Sequence, residues 1–296
     1  MATWKTVTVG TTGTYATLNA AQAAEATDLT AQSGDLVISC QSFEDTTQCV
    51  FGSTAWDTDP THRVIVRAVD NHLGKWSTSA YRMVGNDSRI INQAVNYIFL
   101  DGIQCNLTGA GINGVGYLAD SSLGAAGETE IDKLIVAGVP SATQPDGVWN
   151  SEPLHDIKIR NSIIYGLQNG IGNTGTGSKI IAENITVDDC LNGVFDSYGS
   201  HKLTNCRITN CADAKDGGGT LDAASDYNLT NSTGAAPTNW GSNSISSTDS
   251  PTINYVTSTG TLTARDYHIL AGDSGIGAGV NLSTSFTDDI DGDTRG

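Results

Sequence analysis

Positive charge is scarce in this 296-residue chain: Lys and Arg number 15 against 32 Asp and Glu, a formal net charge of −17. A nucleic-acid binder needs the reverse balance, because phosphates attract Lys and Arg, so no nucleic-acid partner is expected. An acidic surface also repels anionic membranes. No apolar run approaches the roughly 18 residues that span a bilayer, so no membrane helix is expected. Leu-rich helical stretches are almost absent, and the six cysteines, at 40, 49, 105, 190, 206 and 211, form no CxxC and no zinc-like cluster with His. They are expected to be buried free thiols, with no disulfide. The N-terminal "MATWKTVTVGTTG" lacks the charged-then-apolar order of a secretory signal, so synthesis in the cytoplasm is the expectation. The sequons NDS, NLT and NIT are accordingly read as turn-forming Asn.

What the chain has is Gly, 34 residues of it, with abundant Thr, Ser and Asn. That is the palette of many short strands joined by tight turns. It also has a repeat. Asn161 and Asn184 are 23 residues apart, as are the pairs Asn169, Gly170 and Asn192, Gly193. Extended one unit backward, Leu134, Ile157 and Ile180 share a column, then Val136, Ile159 and Ala182, then Gly138, Asn161 and Asn184. Asp146-Gly147-Val148, Asn169-Gly170-Ile171 and Asn192-Gly193-Val194 close each unit. The next step is 21 residues and matches Asn184 to Asn205, Val187 to Ile208 and Cys190 to Cys211.

Alternation at period two means strand, and Asx-Gly means a corner that tolerates positive φ. A unit this short encloses a core only when stacked on its neighbours, so the repeat predicts a solenoid. Ile157, Ile159, Ile171, Ile180, Val187 and Val194 should be buried, with Ile157 and Ile180 stacked on adjacent coils. Residues 96–116 read as another coil, with Tyr97 and Phe99 facing in and Asn113, Gly114 and Val115 at its corner. Residues 118–128 read as a loop, and 34–40 and 62–69 as earlier strands. The Ala-rich stretch 15–31 is the one expected helix, laid over the open end of the solenoid. Dividing residues 34–270 by the repeat gives roughly ten coils. From about 220 the repeat fades into polar sequence.

The helix followed by coils of this length resembles the right-handed parallel β-helix superfamily, which includes pectate-lyase-like enzymes and phage tailspikes. The C-terminal "DYHILAGDSGIGAGVNLSTSFTDDIDGDTRG", 266–296, is similar to the closing segment of bacterial and phage members. The resemblance covers nearly the whole chain and implies an all-β single-domain solenoid: an attachment arm 1–14, a capping helix 15–31, a β-helix 32–270 and a closing segment 271–296. It is a resemblance of fold, which many activities share.

Candidate chemistry follows from the same resemblance. Asp188 and Asp189, then Gly199-Ser200-His201-Lys202, are similar to the Asp-Asp and Gly-His-Gly order of polygalacturonase-type hydrolases. Those enzymes set paired carboxylates across a glycosidic bond. Here Lys202 replaces the second Gly, and strand neighbours point to opposite faces, so a solvated corner is the favoured reading. Lyases of this fold need a basic cleft, and Arg160, Arg207, Lys158, Lys179 and Lys202 are scattered. Asp289, Asp291 and Asp293 resemble the start of an EF-hand loop, without its sixth-position Gly or its terminal Glu, and read better as a terminal turn. Trp76 and Trp149 are read as packing before sugar platforms.

The leading expectation is therefore a non-catalytic virion structural protein, a phage decoration (cement) protein or surface spike. It would need no cofactor or metal, form a homotrimer, and attach to capsid or tail proteins through its N-terminal arm. Two alternatives remain. A polysaccharide depolymerase acting on a host surface glycan would need two or three acidic residues converging in a groove. A bacterial carbohydrate-binding adhesin would need an export signal.

Overall fold

The computed structural model describes residues 2–86, 89–109, 114–120, 126–138, 145–234 and 237–294. The chain visits three parallel sheets in rotation. Sheet A has nine strands, sheet B eight and sheet C seven. One turn shows the rule: Lys179–Glu183 lies in sheet A, Thr186–Asp188 in B and Asn192–Asp196 in C, and Ser200–Thr204 then returns to A beside Lys179–Glu183. From Asp35 to Asp216, strands that follow one another in the chain do not pair with each other, and each pairs in parallel with its counterparts one turn away. This is a parallel β-helix.

The inward positions carry the aliphatic columns. Ile157, Ile159, Ile171, Ile180, Val187 and Val194 are all buried, and Ile157 pairs in register with Ile180. Cys190 and Cys211 sit buried on adjacent turns, and all six cysteines are free and buried. Asn161, Asn184 and Asn205 take φ of 47°, 57° and 55° at the corner between sheets A and B, where Asn is among the few residues that tolerate a left-handed backbone. Asn184 Nδ2 donates to Asn161 Oδ1 at 2.8 Å, so the corner forms a ladder of amides.

Several expectations are corrected. Asn169-Gly170 and Asn192-Gly193 are not corners but the openings of sheet C strands, Asn169–Asn173 and Asn192–Asp196. Gly is needed there for space: a Cβ on Gly170 would lie 2.3 Å from Val187 Cγ1, and one on Gly193 2.1 Å from Ile208 Cγ2. The Leu134 column is out of register. Thr129, not Leu134, pairs with Ile157, because the offset is 28 residues at Ile135 and Ile163 but 23 at Asp146 and Asn169. The five extra residues lie between sheets B and C, where 139–144 are outside the described residues. Ile98 and Leu100 face the core in place of Tyr97 and Phe99, because Tyr97 occupies a left-handed corner at φ 54° and shifts the alternation. Of the expected loop 118–128, Leu118 and Ala119 belong to Val115–Ala119 and residues from Gly127 to Gly127–Asp132. Asn113 and residues 121–125 lie outside the described residues.

Among the described residues there are seven complete three-strand turns, from Asp35 to Asp216, rather than roughly ten. An eighth has only Thr220–Leu221 and Leu229–Thr230. Beyond it Tyr255–Thr257 and Asp266–Ile269 pair antiparallel, which ends the β-helix well short of residue 270. The N-terminal residues are no free arm: Thr3–Val9 is the first strand of sheet A, paired with Asp35–Cys40. The helix is shorter than expected, Leu18–Glu25, with Thr17 as its N-cap and Leu18 and Ala21 buried. It packs on the first strands of sheets A and C. There the buried Glu25 receives Lys5 Nζ at 2.6 Å and the Tyr15 hydroxyl at 2.5 Å.

Residues 255–294 do not plug the end of the solenoid. They run back along the outside of sheet B as a strap. Arg207 grips the buried Asp273 with two hydrogen bonds, at 2.7 and 2.8 Å. Farther along, Lys133 meets Asp288, and Asn71 donates to the Asp291 carbonyl at 3.0 Å. Outward residues of sheet B that would otherwise face water, Ile135, Ala137, Ile163 and Tyr165, join Tyr255, Tyr267 and Trp76 in a second hydrophobic cluster beneath it.

Candidate functional site

The strap explains Asp188. Its carboxylate is buried on the outer side of sheet B, where it accepts from Thr209 Oγ1 and Asn210 Nδ2 at 2.7 Å each and from the Tyr267 hydroxyl at 3.2 Å. Burial pushes its pKa up, and those donors pull it partly back. Asp189 instead turns at a left-handed corner, φ 54°, and binds Arg265 at 2.9 Å. His201 points the other way, into the solenoid from sheet A, in register with Ile180. Its Nδ1 lies 3.3 Å from Asp196 Oδ2, and both side chains are fully buried. The three residues therefore share no cleft. Asp188 serves the strap, Asp189 an ion pair, and His201 the core.

Asp289, Asp291 and Asp293 form the end of the strap. Asp289 Oδ1 accepts the amides of Asp291 and Asp293 at 3.0 Å, an Asx turn. The Asp291 carboxylate faces His268 Nε2 at 2.9 and 3.0 Å. Asp266 flanks the same ring through Nδ1. Burial opposes the charge on His268, but the two carboxylates prevail and its pKa is raised. Among the described residues no group of three or more His, Cys, Asp or Glu is arranged to hold a metal ion.

Carboxylates do converge elsewhere, on the outer face of sheet A. Strand Gly127–Asp132 alternates Thr129 and Ile131 inward with Glu128 and Glu130 outward, and His155–Arg160 alternates Ile157 and Ile159 inward with Asp156 and Lys158 outward. Glu128 pairs in register with Asp156, and Glu130 with Lys158. With Arg63, Tyr97, Ile98, Pro60 and Leu154, the three acids line an open cavity of about 540 Å³. Lys158 Nζ neutralises Glu128 at 2.6 Å. Burial raises the Asp156 pKa, although Asp156 accepts the Lys179 amide at 2.8 Å.

Arg63 is the unusual wall of this cavity. Its side chain is only 17% exposed, yet its nearest carboxylates, Asp35 and Glu130, stand 3.7 Å away. That is beyond hydrogen-bond length. Nε is buried without a hydrogen-bond partner, and the guanidinium lies over the Phe99 ring at 5.8 Å. The stretch "GETEIDK", with acids at alternate positions, was the sequence signal for this face. The irregular 28-residue offset to "HDIKIR" hid the fact that the two stretches are neighbours.

The fold defines the chain as a parallel β-helix solenoid. No family model, curated protein or solved structure matches it.

Proposed function

We propose that the protein is a non-catalytic structural β-helix of a virion, a capsid decoration protein or surface spike of the phage type. The observation that carries this reading is the fate of Asp188, Asp189 and His201: each is consumed by a bond that holds the fold, and they converge on no common point. A strap that ties turns of the solenoid together suits a particle surface, where resistance to unfolding and proteolysis is what matters. The virion setting itself rests on the resemblance of residues 266–296 to the closing segment of phage members. Attachment through a free N-terminal arm is set aside, since Thr3–Val9 belongs to sheet A.

The homotrimer in this proposal packs through sheet C. There Trp149 leans over Gly172 and stacks on Phe195, with ring centroids 5.5 Å apart and planes at 20°, which makes a flat apolar strip on an otherwise acidic prism. Two measurements test the reading. The protein should copurify with particles of the producing phage, and Trp149→Glu should convert a trimer to a monomer in sedimentation equilibrium. Absence from particles sinks the virion reading, and a monomeric parent sinks the trimer. A second reading, a polysaccharide depolymerase, is favoured by one observation, the converging Glu128, Glu130 and Asp156. Release of reducing ends from a host capsule, lost in Glu130→Gln, would establish it.

A further inference from the structure

We propose that His72 and His268 form a pH latch at the far end of the strap, which docks residues 288–293 on residues 71–76 most firmly near neutral pH and loosens them in both acid and alkali. The latch is a property of the fold and does not depend on a role in a virion.

Bonding partners fix the charge that each ring carries. His268 stands between two carboxylates, Asp266 at Nδ1 and Asp291 at Nε2, the latter at 2.9 and 3.0 Å. An ionised carboxylate only accepts, so both ring nitrogens donate, and only the imidazolium does that. Asp266 opens the strand Asp266–Ile269 and Asp291 lies near the strap's end, so the charged ring ties one to the other. His72 needs the opposite state. Its Nε2 donates to the Lys133 carbonyl at 2.7 Å, and its Nδ1 accepts the Gly74 amide at 3.2 Å. A carbonyl only accepts and an amide N–H only donates, so this buried ring is neutral, with its proton on Nε2. Lys133 turns at a left-handed corner of the solenoid, φ 54°, so neutral His72 pins residues 71–76 to that corner.

Gly74 joins the two rings. Its φ is 68°, and a Cβ on it would lie 2.6 Å from Asp291 Oδ1 and 3.2 Å from His268 Nε2. The strap end thus closes over a bare backbone that His72 holds in place. Other charges around the latch are already engaged. Lys75 stands 3.9 Å from Asp266, Lys133 meets Asp288, and Arg207, which lines the same crevice as His268, is bound by Asp273. Asp289 accepts the amides of Asp291 and Asp293. Among the described residues Asp291 has no ion pair besides that with His268. The two histidines titrate in opposite senses. Burial opposes the charge on His268 but Asp266 and Asp291 raise its pKa, so its contribution is present below the unfolded value near ~6.5 and is lost as pH rises through the raised one. Burial lowers the His72 pKa, against the Lys133 carbonyl and the charges of Asp291 and Asp101. Its contribution is present above ~6.5 and is lost as pH falls through the lowered value.

The test uses NMR of the full-length protein. At about pH 6.5, long-range proton–nitrogen spectra should show His268 protonated on both nitrogens and His72 on Nε2 alone. Ile290, which packs against the cluster beneath the strap, reports opening through its methyl groups. Their relaxation by a neutral nitroxide in solution should be least near ~6.5 and rise at least twofold toward about pH 5 and about pH 9, while the Ile157 methyls in the solenoid core stay unchanged. His268→Gln should raise the Ile290 value already at neutral pH and remove the alkaline rise. His72→Gln, which keeps one donor and one acceptor without a titrating ring, should remove the acid rise alone. The proposal is overturned if His268 is neutral or His72 charged near ~6.5, if the Ile290 value does not change with pH, or if His268→Gln keeps the parent's profile. It is overturned equally if Ile157 follows Ile290, since the whole fold and not the strap end would then be loosening. Should either variant fail to fold, the ring states and the Ile290 profile of the parent decide.

Discussion

Asp146 opens the amide ladder of sheet C: Asn169 Nδ2 donates to Asp146 Oδ1 at 2.7 Å, and Asn192 Nδ2 to Asn169 Oδ1 at 2.8 Å. Burial raises the Asp146 carboxyl to about 7, against the pull of the Asn169 donors. A carboxyl raised above its unfolded value near ~3.9 favours the fold while protonated, and that stability is lost as pH rises from about 4 through about 7. Asp146→Asn keeps the acceptor and removes the charge. It should stabilise by about 1–3 kcal/mol at pH 8 and not at pH 4, as read from melting curves at both pH values. His155 runs the other way. Burial pulls its pKa down to about 4, so its contribution is intact above the unfolded value near ~6.5 and is lost as pH falls toward 4. The urea midpoint should drop across that window, and His155→Gln should flatten the drop. At Gly170 the constraint is steric. Gly170→Ala should cost about 1–3 kcal/mol, whereas Gly218→Ala, with nothing within 4 Å of its Cβ position, should fall within about 0.5 kcal/mol of the parent in denaturant titration.

At the scale of elements, a buried ion pair anchors the strap. Arg207 is 13% exposed and Asp273 fully buried, and Arg207 also lies over the Tyr255 ring at 5.0 Å. Removing one partner of a buried pair leaves the other charge uncompensated, which costs on the order of 3–5 kcal/mol. Arg207→Ala should therefore free the strap before the solenoid. Amides of Tyr255–Thr257 and Asp266–Ile269 should exchange faster, while those of the Ile157–Ile180 ladder stay protected. Uniform acceleration would mean that strap and solenoid unfold as one unit. The helix Leu18–Glu25 belongs to the opposite end, where its buried Glu25 ties it to Lys5 of the first strand.

Across the whole molecule, the stacked turns make one continuous core, from Val7 at the first strand to Leu221 and Trp240 beyond the last complete turn. All six cysteines lie inside it or against it, and burial pushes the Cys206 thiol up to about 12. Native protein should react with a thiol reagent negligibly, since the thiolate is the nucleophile. After denaturation without reductant it should titrate six thiols. A lower count would mean that disulfides had formed. The acidic excess is spread over the prism, with cations set against it in local pairs such as Arg67–Asp101, Arg89–Asp120 and Arg160–Asp132.

Local pattern by itself determined the solenoid, its inward aliphatic columns and the Asn corner, because period-two alternation and left-handed Asn are properties of a few neighbouring residues. It also marked a helix near the N-terminus, through Ala and the apolar spacing of Leu18 and Ala21. The turn count, the register before Ile157 and the faces of Tyr97 and Phe99 were decided by insertions and corners whose length the pattern does not carry. The role of Gly170 came from a side chain on another strand, Val187 Cγ1, and the burial of Asp188 from Tyr267, 79 residues away. The cavity of Arg63, Glu130 and Asp156 arises in the same way. Four turns contribute its walls, and only the stacking of those turns places the Arg63 guanidinium beside carboxylates that lie far from it in the chain.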